Sequence, residues 1–415
     1  MMRSVNVAII GAGPYGLSLA AHLHSRGVDA RVFGEPMGAW KNNMPAGMLL
    51  KSYPWASNLS DAESVLTAKR FYTERGLPYD DVLIALPRET FISYGEAFQA
   101  RFVPFVENKM LVSLKPIAAG FEARFDDDET IWARRVVVAI GTSAFKYIPP
   151  FASHLPPELI SHSGDYGPLD SLDGKRLVVV GSGSSATDLC ALLHERGTTV
   201  SLVARASKLV FAGAPRLRSA FERATVPDSG IGEGWTMGVC ATTPWIVNLM
   251  PANIRIGLAN TKALGPLGGA FMRDRVIGKF PQLLGRTLSQ IARRGDMIEM
   301  RLSAPNGLTD TVHADHVIFA TGYKTDVSRL SFLDRSVTSR MRLTGTAPRL
   351  SHHYESSIPG LHFIGAASAY SFGPVCRFVF GTFHPARHLT RLFAKPARRV
   401  EMARSPLSAV PQQGS

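Results

Sequence analysis

The chain has 415 residues, 45% hydrophobic and 19% charged, a composition typical of a globular protein with room for two or three domains. Its net charge of +13 suits anionic cofactors, and without a nucleic-acid motif or a long Lys-rich tail we expect no nucleic-acid partner. No run of about 18 apolar residues occurs and a strand is predicted almost at the N-terminus, so we expect a cytoplasmic protein without signal peptide or membrane span. Cys190, Cys240 and Cys376 lie far apart, which excludes a CxxC redox pair and predicts no metal site.

The first predicted unit combines a strand, a glycine-rich turn and a helix. The apolar run VAII at residues 7–10 is followed by GAGPYG and then by apolar residues at helical spacing. In such a turn the glycines allow a sharp bend, close approach of a pyrophosphate and close helix–strand packing, while the helix N-terminus offers unpaired N–H groups. A tight turn without a ligand is the alternative. The placement between strand and helix favours dinucleotide binding by Gly11, Gly13, Pro14 and Gly16.

The second strand of this unit, at residues 30–33, should end beside the ribose of the dinucleotide. An acidic residue usually accepts the ribose hydroxyls there. Gly34 occupies the customary position, and Glu35 follows one residue later. We therefore expect Glu35 to bind the ribose, with a solvent-facing carboxylate as the alternative.

The segment KSYPWASN at residues 51–58 is rich in aromatic and hydrogen-bonding side chains and has no periodicity. Loops of this kind often line sites, although an ordinary surface loop is the alternative. Ser52, and Trp40 in the preceding segment, are candidate cofactor contacts. Farther along, we expect a helix at residues 90–106 and antiparallel strands at 112–125 and 130–140. The last of these strands enters the turn AIGT, in which Gly141 is a further candidate.

Residues 174–205 repeat the opening unit without a gap. LVVVG aligns with VAIIG, and HERG aligns with HSRG. The second glycine motif is GSGSSA, in which Ala186 replaces the third glycine and still permits close helix–strand contact. Two such units predict two dinucleotide sites. The candidate binding residues of the second are Gly181, Ser182, Gly183, Ser184 and Ser185.

One aligned position differs in charge between the two units. Glu35 in the first corresponds to Arg205 in the second. A carboxylate accepts ribose hydroxyls and repels a 2′-phosphate, whereas Arg205, with Lys208 nearby, attracts one. The first site is therefore predicted to bind FAD and the second NADPH, the alternative being that Arg205 is only a surface cation.

The rest of the chain consists of segments that differ in composition. Residues 205–294 contain 13 Lys/Arg and four Asp/Glu, and we expect a mostly helical elaboration near 211–294 with a basic solvated face. Strands are predicted at 297–302 and at 316–321, the latter ending in ATGY, and at 361–364, entering Gly365. An apolar helix is expected at 372–393. The tail 395–415 is rich in Pro, Arg, Ser and Gln, which predicts disorder.

The order GAGPYG, AIGT, GSGSSA and ATGY resembles that of the class B flavoprotein monooxygenases, and SHSGDY at residues 161–166 is particularly similar to flavin-containing monooxygenases. The resemblance implies an α/β fold with two Rossmann-like domains, the NADPH domain being inserted into the FAD domain. The implied divisions are residues 1–150 and 311–394 for the FAD domain and 151–310 for the NADPH domain. Thr321, Gly322 and Gly365 become candidate cofactor contacts.

The resemblance also implies the reaction. NADPH reduces the flavin, O₂ adds at C4a, and the resulting peroxyflavin transfers one oxygen atom to a small-molecule substrate, at N or S. The segments 51–58 and 370–380 are expected over the flavin, with Asn58 and Arg377 as catalytic donors; packing is the alternative role of Asn58.

Besides the displaced acid at the end of the second strand, this sequence departs from the family at three points. GAW replaces the family's Gly-Gly-x-Trp, Gly365-Ala366 replaces a frequent Gly-Asp, and the fingerprint of Baeyer–Villiger enzymes is not present. Two other functions stay open: an NADPH-dependent flavin reductase or dehydrogenase that passes electrons to a carrier, and a non-catalytic flavin sensor. The sequence is compatible with a homo-oligomer.

Overall fold

The computed structural model describes residues 3–260 and 267–394. The predicted disordered tail at 395–415, and residues 261–266 of the predicted helical elaboration, lie outside this part of the chain.

The strands, in chain order, are β1 (Arg3–Ile10), β2 (Ala30–Phe33), β3 (Val106–Glu107), β4 (Leu111–Ile117), β5 (Gly120–Phe125), β6 (Thr130–Val138), β7 (Ile160–His162), β8 (Leu177–Val180), β9 (Val200–Ala204), β10 (Asp228–Ser229), β11 (Gly232–Glu233), β12 (Gln282–Leu284), β13 (Thr287–Arg294), β14 (Met297–Ser303), β15 (Thr309–Ala314), β16 (His316–Phe319), β17 (Leu343–Thr344), β18 (Ala347–Pro348) and β19 (Leu361–Phe363).

The α-helices are α1 (Pro14–Ser25), α2 (Gly38–Asn42), α3 (Ala68–Glu74), α4 (Arg88–Phe102), α5 (Ser184–Glu195), α6 (Ala220–Thr225), α7 (Trp235–Thr242), α8 (Pro244–Leu249), α9 (Ala252–Ala259), α10 (Arg273–Val276), α11 (Arg335–Thr338), α12 (Ala369–Phe372) and α13 (Phe383–Phe393). Short 3-10 helices include Pro54–Ala56, Ser163–Asp165, Gly365–Ser368, Pro374–Arg377 and Val379–Thr382.

The first sheet contains seven strands and is built around β1 and β6. Strands β3, β2, β1 and β6 are parallel neighbours in that order. The other edge of β6 pairs with two strands. The first half of β6 pairs antiparallel with β5, whereas its second half pairs parallel with β19. The VAII run of β1 is completely covered, as expected for a central strand of a parallel sheet with helices on its faces.

The second sheet has five strands in the order β12-β9-β8-β16-β7, all parallel. An antiparallel three-stranded sheet, β13-β14-β15, follows β12 in the chain and shares an apolar core with the second sheet. Because the chain leaves the first sheet after β6 and returns to it only at β19, the second sheet is inserted into the first domain. The predicted α/β fold with two Rossmann-like domains is confirmed.

The predicted boundary at residue 310 differs from the structure. It assigns β16 to the FAD domain, but β16 lies between β8 and β7 of the second sheet. The reason is the parallel pairing of Val317 with Val178 and Ile160, which needs strands distant in sequence to meet. The predicted elaboration at 211–294 contains the five helices α6 to α10, but also strands β10 to β12 and all of β13.

The predicted continuous helix at 372–393 is wrong. Helix α12 ends at Phe372, and Gly373 adopts φ +85° before Pro374. A left-handed glycine followed by a proline interrupts helical hydrogen bonding. Two 3-10 turns therefore precede α13, and they form an irregular segment, residues 373–382, whose position matters for the site. Among the described residues, no helix is long and apolar enough to cross a membrane.

Candidate active site

The first glycine motif opens a space at the N-terminus of α1. A Cβ built on Gly11 would lie 2.5 Å from the Ala139 carbonyl oxygen, and one on Gly16 would lie 1.8 Å from the Gly11 carbonyl oxygen. Both glycines are therefore required by packing. A Cβ on Gly13 meets nothing within 4 Å, and no side chain caps the first turn of α1. The open space beside uncapped N–H groups fits a pyrophosphate.

This opening belongs to a cavity of about 510 Å³, here called the α1 cavity. The predicted residues that line it are Gly11, Gly13, Pro14, Glu35, Trp40, Gly141 and Arg377. Glu35 lies at the end of β2, as predicted, and one of its oxygens accepts a hydrogen bond from Asn42 Nδ2 at 2.7 Å. Its other oxygen is 3.6 Å from Lys41 Nζ. The carboxylate is thus held at the edge of the cavity where a ribose can reach it.

The second glycine motif has the same local geometry. Gly13 and Gly183 precede their helices with φ/ψ of −83°/−173° and −89°/−179°, and α1 and α5 both have 12 residues. A Cβ on Gly181 would lie 2.4 Å from the Ala320 carbonyl oxygen. AIGT and ATGY are therefore the partners of the two motifs, because each supplies the carbonyl group against which the first glycine packs.

Arg205 follows β9 directly and is exposed, as is Lys208. Neither side chain forms an ion pair with another described residue. Two free cations at the end of this strand fit the 2′-phosphate of NADPH. The α5 N-terminus also lacks a side-chain cap, which leaves its N–H groups available to the pyrophosphate.

Between the two domains lies a cavity of about 320 Å³, the interdomain cavity. The first domain contributes Trp40 and Ser52, the second contributes Ser184, Ser185 and Asp188, and the irregular segment contributes Arg377 and Phe378. Phe378 also lines the α1 cavity and a third space of about 480 Å³ beside residues 212–216. The structure therefore joins predicted residues of both dinucleotide motifs around Phe378.

Two charged residues that the sequence analysis missed also line the interdomain cavity. Burial raises the pKa of Asp188 to about 7, against the opposing effect of hydrogen bonds from Ser184 and Thr187 and the charge of Lys51. Burial lowers the pKa of Lys51, an effect that Asp188 opposes. The sequence offered one signal for Asp188, a carboxylate on the buried face of a helix. Carboxylates are seldom buried in proteins, and those that are often belong to functional sites.

Arg377 lies in the cavity wall without an ion pair or side-chain hydrogen bond to any described residue. Solvent reaches its side chain, yet the surrounding protein desolvates the guanidinium group and lowers its pKa. Ser163 Oγ is buried in the same cavity and also has no hydrogen-bond partner in the described part of the chain. Both groups are available to a ligand.

The structure does not place Asn58 as predicted. Its Nδ2 donates to the Trp55 carbonyl oxygen at 2.8 Å, and its Oδ1 accepts from the Ala68 N–H at 2.7 Å. Asn58 therefore connects its loop to the first turn of α3, and it is not a lining residue of the interdomain or α1 cavity. The alternative role, loop packing, accounts for both of its hydrogen bonds.

Three other predicted contacts lie behind the cavity walls. The hydroxyl group of Thr321 donates to the Tyr147 carbonyl oxygen, and the Gly322 carbonyl oxygen accepts from His162 Nε2 at 2.9 Å. Gly365 has φ +73° and packs against the ring of Tyr15. None of them lines the α1 or the interdomain cavity, although Ala366 lines the α1 cavity. Their cofactor contacts stay predictions.

Comparison with known proteins gives the family. The model of the pyridine nucleotide-disulphide oxidoreductases matches residues 5–232, more than half of the chain. The chain therefore belongs to this family. Its three cysteines are buried and free, so family membership does not bring a disulfide redox pair with it.

Curated relatives include plant monooxygenases. The rice indole-3-pyruvate monooxygenase YUCCA1 is 28% identical over 205 residues, which are 48% of this chain and 47% of that protein. The probable indole-3-pyruvate monooxygenase YUCCA1 of Arabidopsis thaliana is 24% identical over 337 residues, or 77% and 75% of the two chains. The chain thus spans about half of the rice relative and three quarters of the Arabidopsis one.

Solved structures share the fold. Ornithine N-hydroxylase KtzI from Kutzneria sp. 744 has a TM-score of 0.75 at 15% identity, over 94% of this chain and 99% of that one. The cadaverine monooxygenase DfoA from Erwinia amylovora has a TM-score of 0.71 at 15% identity, over 99% of both chains. At these identities the structures show the shared fold. The relatives in sequence are monooxygenases, which bears out the predicted resemblance to the class B flavoprotein monooxygenases. The chain is an oxidoreductase, and FAD and NADPH are its cofactors.

Proposed function

We propose that this enzyme transfers one oxygen atom of O₂ to a nitrogen or sulfur atom of a small molecule. The observation that carries the proposal is the interdomain cavity, which is lined at once by residues of the FAD motif's domain, by the N-terminus of α5 and by the irregular segment. A cavity shared in this way brings the two cofactors and a substrate to one place. The amine substrates named for the structurally similar KtzI and DfoA support nitrogen as the acceptor.

The chain's own residues would hold both cofactors. The N–H groups at the start of α1 and the carboxylate of Glu35 bind FAD, and the α5 N-terminus with Arg205 and Lys208 binds NADPH. When bound, FAD supplies the redox chemistry by taking a hydride from NADPH and by activating O₂. Gly181, Ser182 and Gly183 form the turn that places the α5 N-terminus, and Ser184 and Ser185 are the first two residues of the helix.

The remaining residues of the cavity control water and protons. Trp40 and Phe378 provide apolar walls, which exclude water from the reacting atoms. Ser52 and Arg377 offer donors to a developing negative charge. Asp188, with a pKa of about 7, can hold or release a proton at its carboxyl oxygen near neutral pH, the property that general acid–base catalysis requires.

Electron transfer to a carrier is the competing function, because similar folds occur in reductases: bacillithiol disulfide reductase from Staphylococcus aureus has a TM-score of 0.62 at 17% identity, over 94% of this chain and 98% of that one. Buried, isolated cysteines argue against disulfide exchange through this chain. Electron transfer to other carriers is distinguished from oxygen transfer by experiment.

Purified enzyme with FAD and NADPH is screened against amines and thioethers, and product masses are compared with those of the substrates.

A compound that stimulates NADPH oxidation and gains one oxygen atom supports the proposal. Stimulation only by dyes or protein carriers, with no oxygenated product from any amine or thioether, contradicts it. Gly13→Val, which we expect to lack FAD, serves as the background for uncatalysed oxidation.

A further inference from the structure

A separate cavity of about 380 Å³ lies beside α13, away from both glycine motifs; we call it the α13 cavity. Helix α13 contributes His384, Arg387, His388 and Arg391 to its lining. Their spacing of three and four residues places the four side chains on one helix face. No Asp or Glu is among the described lining residues. The cavity therefore concentrates basic groups without a counter-charge.

Neither arginine of the α13 cavity is neutralised by the described protein. Arg387 and Arg391 are exposed, and neither makes an ion pair or side-chain hydrogen bond with another described residue. The guanidinium carbon of Arg387 lies 5.7 Å from the centre of the Phe383 ring, which orients the group without removing its charge. Two neighbouring guanidinium groups repel each other, and an anion between them would relieve that repulsion.

His384 adds a neutral donor. The hydroxyl group of buried Tyr354 is 2.7 Å from His384 Nδ1, and burial raises the pKa of that tyrosine well above its usual value. Tyr354 therefore keeps its proton, and because its hydroxyl group has no other hydrogen-bond acceptor among the described residues, it donates to Nδ1. Burial, together with the charges of His388 and Arg391, lowers the pKa of His384 to about 4. The neutral ring then carries its hydrogen on Nε2, which has no partner among the described residues.

We propose that the α13 cavity binds a small molecule through an oxyanion group, a phosphate or a pair of carboxylates. Two guanidinium groups and one imidazole N–H offer donors from one helix face, and guanidinium geometry matches such oxygens. The volume is that of a small-ligand site. Cys376 and Phe380 form part of its wall, so a ligand there contacts the irregular segment that also carries Arg377.

The test is calorimetric titration of the full chain, loaded with FAD and saturated with NADP⁺ so that the dinucleotide sites are occupied. Inorganic phosphate and malonate are the two probes, at ionic strength held constant with NaCl. We expect one equivalent of either probe to bind. Tighter binding of phosphate indicates a phosphate ester as the natural ligand, whereas tighter binding of malonate indicates a dicarboxylate.

Arg387→Gln and Arg391→Gln should each weaken the binding about tenfold or more, the loss expected for a charge-assisted contact. Arg26→Gln, at an exposed arginine beyond the end of α1, should leave it unchanged. Arg387→Lys and Arg391→Lys, which keep the charge, should lose less than the glutamine variants. Circular dichroism and FAD content verify that each variant is folded.

Two results overturn the proposal. One is that neither probe binds the loaded wild-type enzyme at millimolar concentration. The other is that the double variant Arg387→Gln/Arg391→Gln, with normal FAD content, binds phosphate and malonate as tightly as the wild type.

Discussion

The hydroxyl group of Tyr15 donates a hydrogen bond to the carbonyl oxygen of Phe378 at 2.9 Å, across 363 positions of sequence. Tyr15 belongs to the first glycine motif, and Phe378 lines all three spaces around the site. Val375 offers a second carbonyl oxygen at 3.3 Å. Gly381 leaves room for the tyrosine, since a Cβ there would lie 2.3 Å from the hydroxyl oxygen. The FAD motif thus fixes the position of the irregular segment.

Tyr15→Phe should loosen that segment while preserving the fold. The loss of one buried hydrogen bond costs about 0.5–1.5 kcal/mol. Because Phe378 lines the α1 cavity, FAD should dissociate several-fold faster. Thermal unfolding and flavin release measure the two effects. Tyr94→Phe is the matched control, because the Tyr94 hydroxyl group accepts from the Leu59 N–H and donates to the Leu66 carbonyl oxygen, and Tyr94 lines none of the three spaces around the site. Equal flavin release in both variants would show that Tyr15 only stabilises the core.

Gly13→Val should give a folded protein without FAD. The position has φ −83° and ψ −173°, which valine adopts, and open space around its Cβ. The new side chain would occupy the space where the pyrophosphate meets the backbone. Flavin absorbance and circular dichroism of the purified variant check this. Gly257→Val, at another uncrowded glycine, should keep its FAD, and full flavin content in Gly13→Val would refute the assigned site.

Arg205→Ala should reduce the preference for NADPH. A charge-assisted contact to the 2′-phosphate contributes about 1.5–3 kcal/mol, or about 10–150-fold in affinity. We expect the KM for NADPH to rise by that factor and the KM for NADH to stay nearly constant, with steady-state kinetics as the measurement. Arg26→Ala controls for the loss of a surface cation. Equal losses for both coenzymes would mean that Arg205 only supports the fold.

Asp188 should make the stability depend on pH. Its pKa of about 7 in the folded state lies above the usual 3.8, so between these values the folded state binds one proton more than the unfolded state. The free energy of unfolding must therefore fall as pH rises from about 4 to 7, by up to about 4 kcal/mol, and then level off. Asp188→Asn should remove this slope. Urea unfolding at several pH values compares the two proteins, and identical slopes would contradict the assignment.

The two glycine motifs were predictable because their geometry is local. Gly11 and Gly181 pack against carbonyl groups of strands whose own motifs, AIGT and ATGY, are also visible in the sequence. Lys51 and Asp188 were missed because 137 positions separate them in the sequence. Only the packing of the two domains against each other brings them to one cavity. Asn58 was misplaced because an asparagine in a loop bonds backbone groups as readily as ligands. The break at Gly373-Pro374 was readable in the sequence, but the apolar pattern around it masked the signal.

The most direct test of the account is the fate of oxygen in a single reaction mixture. The enzyme, NADPH and a substrate found in the screen are incubated under heavy-isotope oxygen gas, and the label in the product is counted against NADPH consumed. The account predicts one labelled oxygen atom in the product for each NADPH, on nitrogen or sulfur, and Arg377→Gln should divert NADPH oxidation toward hydrogen peroxide. NADPH consumption with no label in any product, and with electrons recovered only in a carrier or in hydrogen peroxide, would contradict it.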